Sequence, residues 1–394
     1  MLLNNLITTV GSRPVNIGIY GEKIMSMGVA MHNVYDSFQM HFSHAMAIPG
    51  LINSHDHLDF NCFSLLGNKK YEDYTEWGRH IHENYKDEIK AILKVPENLR
   101  TNWGMYKNLL AGVTTVVNHG KVLKIENPLI DILQNTRNLH SVEFEQNWKW
   151  KLNNPLLINK DCVMHAGEGT SQKASDEIDD LIKYNLLKRK LIAVHGVAMK
   201  PEQASHFKGL IWCPESNRVL FGGHAQISGL KNHTAILFGS DSTLSGNWNI
   251  WQHLRLARSL QQLTDEELFN TLTNEPARLW HLNKGKLAPK ADADVVIIKI
   301  KPGHSAMSAL FESNPEDILM VIQKGKIRLF DKCLLPQIRL LPVNLFRYSQ
   351  LSIKGKVKFV EGDLLGLITE IKKHNPHIRF PVEVFETINF SHLD

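Results

Sequence analysis

Hydrophobic positions in the first 48 residues alternate in short runs. Leu6-Ile7-Thr8-Thr9-Val10, Val15–Tyr20 and Lys23–Met27 are separated by Gly11, by Gly21-Glu22 and by Gly28. Period-two alternation between turn residues predicts a small antiparallel sheet. The pattern returns near the other end, in Val295-Val296-Ile297-Ile298 and in Met320–Ile327. The two ends are therefore expected to pair as one β-sandwich domain, residues 1–48 plus 285–335, with the long middle inserted between them.

That middle, residues 49–284, alternates apolar strands with helical stretches. Strands are expected at Leu51–His57, Gly112–His119, His140–Phe144, Asp161–His165, Leu191–His195 and Ala235–Asp241. Helices are expected over Ser175–Lys188 and Thr264–Leu272, the second opened by a capping box of Thr264 and Glu267. Such alternation predicts parallel β/α units. Reactive side chains gathered at strand C-termini favour a β/α barrel, whose active site lies on that face. An open doubly wound sheet would want a Gly-rich phosphate loop after its first strand, and none follows. Only about twenty residues separate the expected third strand from His165, so a full fourth strand with its helix hardly fits. The stretch Phe60–Arg100 is long for a loop, and Tyr71–Leu93 has helical character, as in a lid or pocket wall. Residues 336–394 form a moderately apolar C-terminal extension to which no role is assigned.

Composition narrows the picture little. The 394 residues are 43% hydrophobic and 22% charged, with a net charge of +5, and no long basic run occurs. Neither a nucleic-acid partner nor a membrane is expected. Met1–Leu6 does not read as a secretory leader, and Cys62, Cys162, Cys213 and Cys333 are scattered, as for reduced core thiols. A cytoplasmic location is expected.

Chemistry enters with His55-Asp56-His57. Two histidines at i and i+2 on a strand point to one side, a ready pair of donors for a divalent metal. The pair alone is a weak signal. Later strand ends add His165-Ala166-Gly167-Glu168, then His195-Gly196, then Asp241. His55, His57, His165 and Asp241 would make a first shell for one Zn²⁺, with Fe²⁺ as the alternative, leaving a position for a water made acidic by the metal. Glu168 is the candidate to accept a proton from that water and pass it to a ring nitrogen. His195 would polarise the carbon under attack, and Asp241 would also accept the nucleophile's proton. Each has a bland alternative: a structural His195, a solvated Glu168, a helix-capping Asp241. Their ordered recurrence at four strand ends favours the joint reading. His119 reads equally as pocket lining or internal structure. Ser216, Asn217 and Arg218 are expected to hold a loop, as are His224 and His233. Trp77, Trp103, Trp148 and Trp150 could wall a pocket, with core packing as the default. His80 and His82 diverge on a helix and are dismissed as ligands.

The set Pro49–His57, Gly112–Val116, His165–Glu168, His195-Gly196, Cys213–Asn217, Gly239–Asp241 and Asn274–Arg278 resembles the amidohydrolase superfamily over about residues 1–330, in particular its mononuclear deaminase-type branch. The resemblance implies a distorted (β/α)₈ barrel with a split β-sandwich domain. It also implies metal binding by His55, His57, His165 and Asp241, proton shuttling by Glu168 and polarisation by His195. Binuclear relatives use a carboxylated Lys on the fourth strand, and Lys149, Lys151 and Lys160 do not sit at such a strand end, so one metal is expected. Gly169 departs from the Thr or polar residue usual after the Glu, and Ser242–Asn247 departs from the usual run after the Asp. The expected activity is deamination of an amino-substituted azaheterocycle, a small-molecule substrate. Cyclic amide opening of the imidazolonepropionase type and a catalytically silent binding homologue are the alternatives. A homodimer is compatible with this reading.

Overall fold

The computed structural model describes residues 1–9, 11–29, 38–301 and 305–385. Val10, expected to close the first strand, and residues 386–394 of the C-terminal extension lie outside the described residues.

An eleven-stranded sheet takes five strands from the front of the chain and six from the back. Its seam is the antiparallel pair Ala45–Pro49 and Val295–Lys299, with Ala47 opposite Ile297. Leu3, Leu6, Ile17, Ile297, Met320 and Phe330 bury one apolar core within it. The C-terminal residues continue this sheet: Tyr348–Ile353 and Lys356–Glu361 form a hairpin, and Glu383–Val384 pairs with Leu351 and Ser352. Phe380 then meets Trp103 edge-on at 4.7 Å, which ties this part of the chain to the barrel.

Eight parallel strands form a distorted barrel in two hydrogen-bonded arcs. The first arc holds Leu51–Asp56, Val113–Asn118 and Asp131–Leu133. The second holds Arg137–Leu139, Cys162–Ala166, Leu191–His195, Phe207–Trp212 and Ala235–Phe238. The eighth strand returns to the first, where the Asp241 N–H donates to the His55 carbonyl at 3.0 Å. All-buried runs such as Val113–Asn118 and Leu191–His195 suit strands covered on both faces.

The third strand differs from its expected place. His140–Phe144 is not a strand; it forms a turn beyond the fourth, Arg137–Leu139. The third and fourth strands have three residues each and only Gln134–Thr136 between them, with no helix. This is how four strands fit where the spacing seemed to allow three. The capping box at Thr264 is present, with Glu267 N–H to Thr264 Oγ1 at 3.2 Å and Thr264 N–H to Glu267 Oε2 at 2.8 Å.

The excursion after the first strand forms helices Tyr74–Asn84 and Lys86–Leu93 over the barrel mouth. Buried Lys284 holds barrel to sheet: its ammonium donates to Thr115, Asp131 and Asp294 at 2.6–2.9 Å. Cys62, Cys162 and Cys213 are buried free thiols, whereas Cys333 is exposed, against expectation. No helix among the described residues is long and apolar enough to cross a membrane.

Candidate metal and acid–base site

Strand alternation decides what the His-Asp-His segment does. His55 and His57 turn into the barrel mouth, where both Nε2 atoms stand 3.8 Å from Asp241 Oδ1. Asp56 turns the other way and is fully buried. Its carboxylate accepts from Lys107 Nζ at 2.9 Å, Asn108 at 2.7 Å and Asn61 at 2.9 Å. Lys107 also donates to the Asp241 carbonyl at 3.2 Å, so one buried ammonium braces both strand ends.

The donor atoms of His55, His57 and Asp241 lie within 4.8 Å of one another, as do those of His55, His165 and His195. His55 Nδ1 and Nε2, His165 Nε2 and His195 Nε2 are buried without a hydrogen-bond partner. Burial, reinforced by the neighbouring imidazoles, pushes the pKa values of His55 and His165 well below the usual histidine range. Neutral imidazoles with free lone pairs around one carboxylate fit a divalent cation. Burial alone would raise the Asp241 pKa. His57, His195, the Ser245 hydroxyl and the Ser242 N–H reverse this and hold it below the ordinary carboxylate value. Ser216 and Ser245 donate to Asp241 Oδ2 at 3.0 and 2.7 Å.

Glu168 sits between two of these histidines. Its Oε2 is 3.1 Å from His165 Nδ1 and its Oε1 is 3.5 Å from His195 Nε2. It is 4% exposed. Burial, then the charges of Asp241, Glu177 and Asp73, push its pKa well above the carboxylate range. Gly167 before it has φ +63°, and Gly169 after it lies against the lid. Tyr74 N–H donates to the Glu168 carbonyl at 3.1 Å, and Thr170 N–H to the Glu72 carbonyl at 2.8 Å. A Cβ on Gly169 would fall 2.5 Å from the Glu72 oxygen and 2.6 Å from Asp73 Cα. The glycine that departs from the family pattern is what allows this close approach.

His195 Nδ1 lies 2.8 Å from Asn217 Oδ1, while the Asn217 amide donates to the His195 carbonyl. The second contact orients the amide, so the ring donates from Nδ1 and keeps its Nε2 lone pair toward Glu168. Asn217, read from the sequence as a loop residue, thus fixes a tautomer. His195 and Asp241 both have positive φ, +74° and +56°, which non-glycine residues rarely adopt. Those turns aim both side chains into the mouth.

Two further histidines join the cluster. His119 is buried, stacked on His165 at 4.7 Å and 5.0 Å from His55. His140, at the end of the fourth strand, is 5.1 Å from His165, and burial lowers its pKa to about 4. The reading from sequence placed His140 inside a strand and so missed it. Lys107 was missed as well, since a helical Lys carries no signal of burial. Arg218 and His233 are exposed. Among the tryptophans, Trp77 borders the cavity, Trp103 and Trp148 are buried in the core, and Trp150 is 70% exposed. His82 reaches the cavity rim, far from the ligand geometry.

Residues 158–328 match the Amidohydrolase family. No curated protein matches the chain by sequence. Among solved structures, an adenosine deaminase from Xanthomonas campestris with bound zinc superposes at a TM-score of 0.70, with 14% identity over 96% of this chain and 98% of that one. A zinc-complexed atrazine chlorohydrolase from Arthrobacter aurescens TC1 gives 0.65 and 16% identity, covering 83% of this chain and 94% of that one. A guanine deaminase from C. acetobutylicum with bound guanine gives 0.64 and 15%, covering 83% and 99%. The family match spans Glu168, His195 and Asp241, and the barrel's mouth carries the donors just described. Residues 158–328 are thus similar to the Amidohydrolase family, and the chain shares its fold with these solved structures.

Proposed function

We propose that this chain deaminates an amino-substituted azaheterocycle, using one divalent metal held by His55, His57, His165 and Asp241. Zinc suits that set of three imidazoles and a carboxylate best. When bound, such an ion supplies Lewis acidity that brings a water's pKa toward neutrality. The chain's own residues supply the proton traffic. Asp241, held ionised by its neighbours, accepts the proton of the attacking water. Glu168 holds a proton in its buried site and delivers it to the ring nitrogen next to the amine-bearing carbon. His195, fixed as the Nδ1–H tautomer by Asn217, keeps Nε2 toward Glu168 and the reacting carbon. The proton on Asp241 passes to the amine, which leaves as ammonia, and the new hydroxyl returns its proton to Glu168 as the ring keeps the oxygen.

The observation that carries this reading is the placement of Glu168. A buried carboxyl lies within 3.1 and 3.5 Å of two donor-cluster histidines and borders the cavity under the lid helices. A proton-bearing carboxyl there is suited to protonating a leaving group or ring nitrogen. The comparison proteins that are deaminases support the same chemistry by likeness.

The test is an ammonia-release screen of metal-loaded protein over aminopurines, aminopyrimidines, pterins and triazines. About one metal per chain and ammonia release from one ring class are expected. Glu168→Gln should keep the metal and lose turnover by about 10²–10⁴-fold. Full activity in that variant would end the proton-shuttle assignment, and a ring-opened product without ammonia would end the deaminase reading.

A further inference from the structure

The cavity above the donor cluster has a volume of about 310 Å³. Its floor is polar: His57, His165, Glu168 and Asp241 all border it. Its walls are apolar. Phe60, Phe63, Trp77, Ile81, Ile89 and Leu244 form the sides away from the cluster. The Phe60 ring stacks on His57 at 5.6 Å, so the apolar wall begins directly beside the proposed ligands.

Several of the polar side chains lining the cavity already have partners. Trp77 Nε1 donates to the Leu66 carbonyl at 2.9 Å, and Ser245 Oγ to Asp241 at 2.7 Å. The Tyr74 hydroxyl donates to the buried Glu177 carboxylate at 3.2 Å. None of the side chains lining the cavity is Lys or Arg. Away from the floor, a phosphate or carboxylate among these walls would find no lysine or arginine to pair with it. A sugar would bury hydroxyls against carbon. Unpaired charges and hydroxyls are costly to bury, whereas apolar surface gains.

We infer that the substrate is an uncharged amino-azaheterocycle bearing an alkyl or aryl substituent, its ring at Glu168 and its substituent between the lid helices and Phe60. The inference rests on the proposed deaminase reading and names that site's substrate class. The heterocycle enters with its ring nitrogen toward the floor, where Glu168 stands beside His165 and His195. The lid helices Tyr74–Asn84 and Lys86–Leu93 supply the far wall through Ile81, Ile89 and Leu93.

Two amino-heterocycles sharing one ring test this, one carrying a benzyl group and the other a phosphorylated side chain. With metal-loaded protein, kcat/KM should favour the benzyl compound by about 100-fold. Leu93→Arg, at the cavity rim where the native side chain is 49% exposed and a longer one can be accommodated, should narrow that ratio by about 10-fold. A native ratio near unity, or a ratio that Leu93→Arg leaves unchanged, would overturn the inference. Calorimetry on metal-loaded Glu168→Gln reads binding without turnover, and the benzyl compound should again bind more tightly. If that binding preference holds while no ring releases ammonia, the deaminase reading fails and the apolar specificity stands. Equal ammonia release from both compounds leaves the deaminase reading intact and sinks the specificity.

Discussion

Gly169→Ala is the sharpest perturbation the structure offers, because it adds one carbon beside Glu168, the proposed proton-transfer group, without changing any proposed metal donor. The new Cβ would meet the Glu72 oxygen at 2.5 Å, where ordinary contact begins at 3.4 Å. The barrel loop and the lid segment must therefore part by about 0.9 Å. Two hydrogen bonds cross this junction, Tyr74 N–H to Glu168 and Thr170 N–H to Glu72. Weakening both costs about 1–3 kcal/mol of local docking. The same junction holds Asp73, which caps the lid helix through Thr75 and Glu76 N–H and accepts the Ser171 hydroxyl at 3.2 Å. Displacing it loosens the start of two helices at once. A misplacement near 1 Å at a proton-transfer group is worth about 10²-fold in rate. The expected variant binds its metal normally, measured by elemental analysis, and shows kcat lowered by about 100-fold in the ammonia assay. Native kcat would refute the argument that the lid positions Glu168. So would a loss fully explained by missing metal.

Three other outcomes follow from buried groups. Lys107→Met should destabilise the fold by about 3–5 kcal/mol, since it strands the buried Asp56 carboxylate, and Asp56→Asn on top should recover part of the loss. Denaturant unfolding checks this, and a single variant losing under about 1 kcal/mol would refute it. Burial raises the Glu177 pKa from 4.5 to about 7, so the folded state binds this proton more tightly than the unfolded one. Its contribution to stability is present below the unfolded value and is lost as pH rises through about 7. Glu177→Gln should therefore remove the fall in Tm across that window, and an unchanged slope would count against it. Chelation of the metal should lower Tm and re-addition should restore it, by about 4 kcal/mol when free ion exceeds Kd a thousandfold. A Tm indifferent to chelator would argue against a cation among the histidines.

The sequence showed several of the longer strands, but not Phe207–Trp212 or the hairpin of Tyr348–Ile353 and Lys356–Glu361. Leu51–Asp56, Val113–Asn118 and Leu191–His195 are buried on both faces, but only Leu191–His195 appears as a continuous apolar run ending in a polar group; Thr114-Thr115 interrupts the second, and the first turns polar after Ile52. Asp131–Leu133 and Arg137–Leu139 are too short for any period to emerge, and Asp131 and Arg137 mask them further. Misplacing them hid His140, which became visible as a strand-end residue only once the fourth strand had its position. The aim of the site residues was also illegible. His195 and Asp241 enter the mouth by way of positive φ, and no pattern of side-chain types announces that a non-glycine residue will accept it. Tertiary contacts impose it: the Asp241 N–H is held by the His55 carbonyl, and the His195 ring by Asn217. The strain falls at the two strand ends where a side chain must leave the strand's alternation to reach the shared centre. The proposed donors His55 and His57 stand at regular positions, so their spacing shows that they share a side, though only the later strand ends gave the pair its meaning. The proposed acid–base groups stand where the backbone departs from regularity. They are Glu168 between two glycines, His195 and Asp241; the sequence named them as strand-end candidates, and geometry supplied their aim.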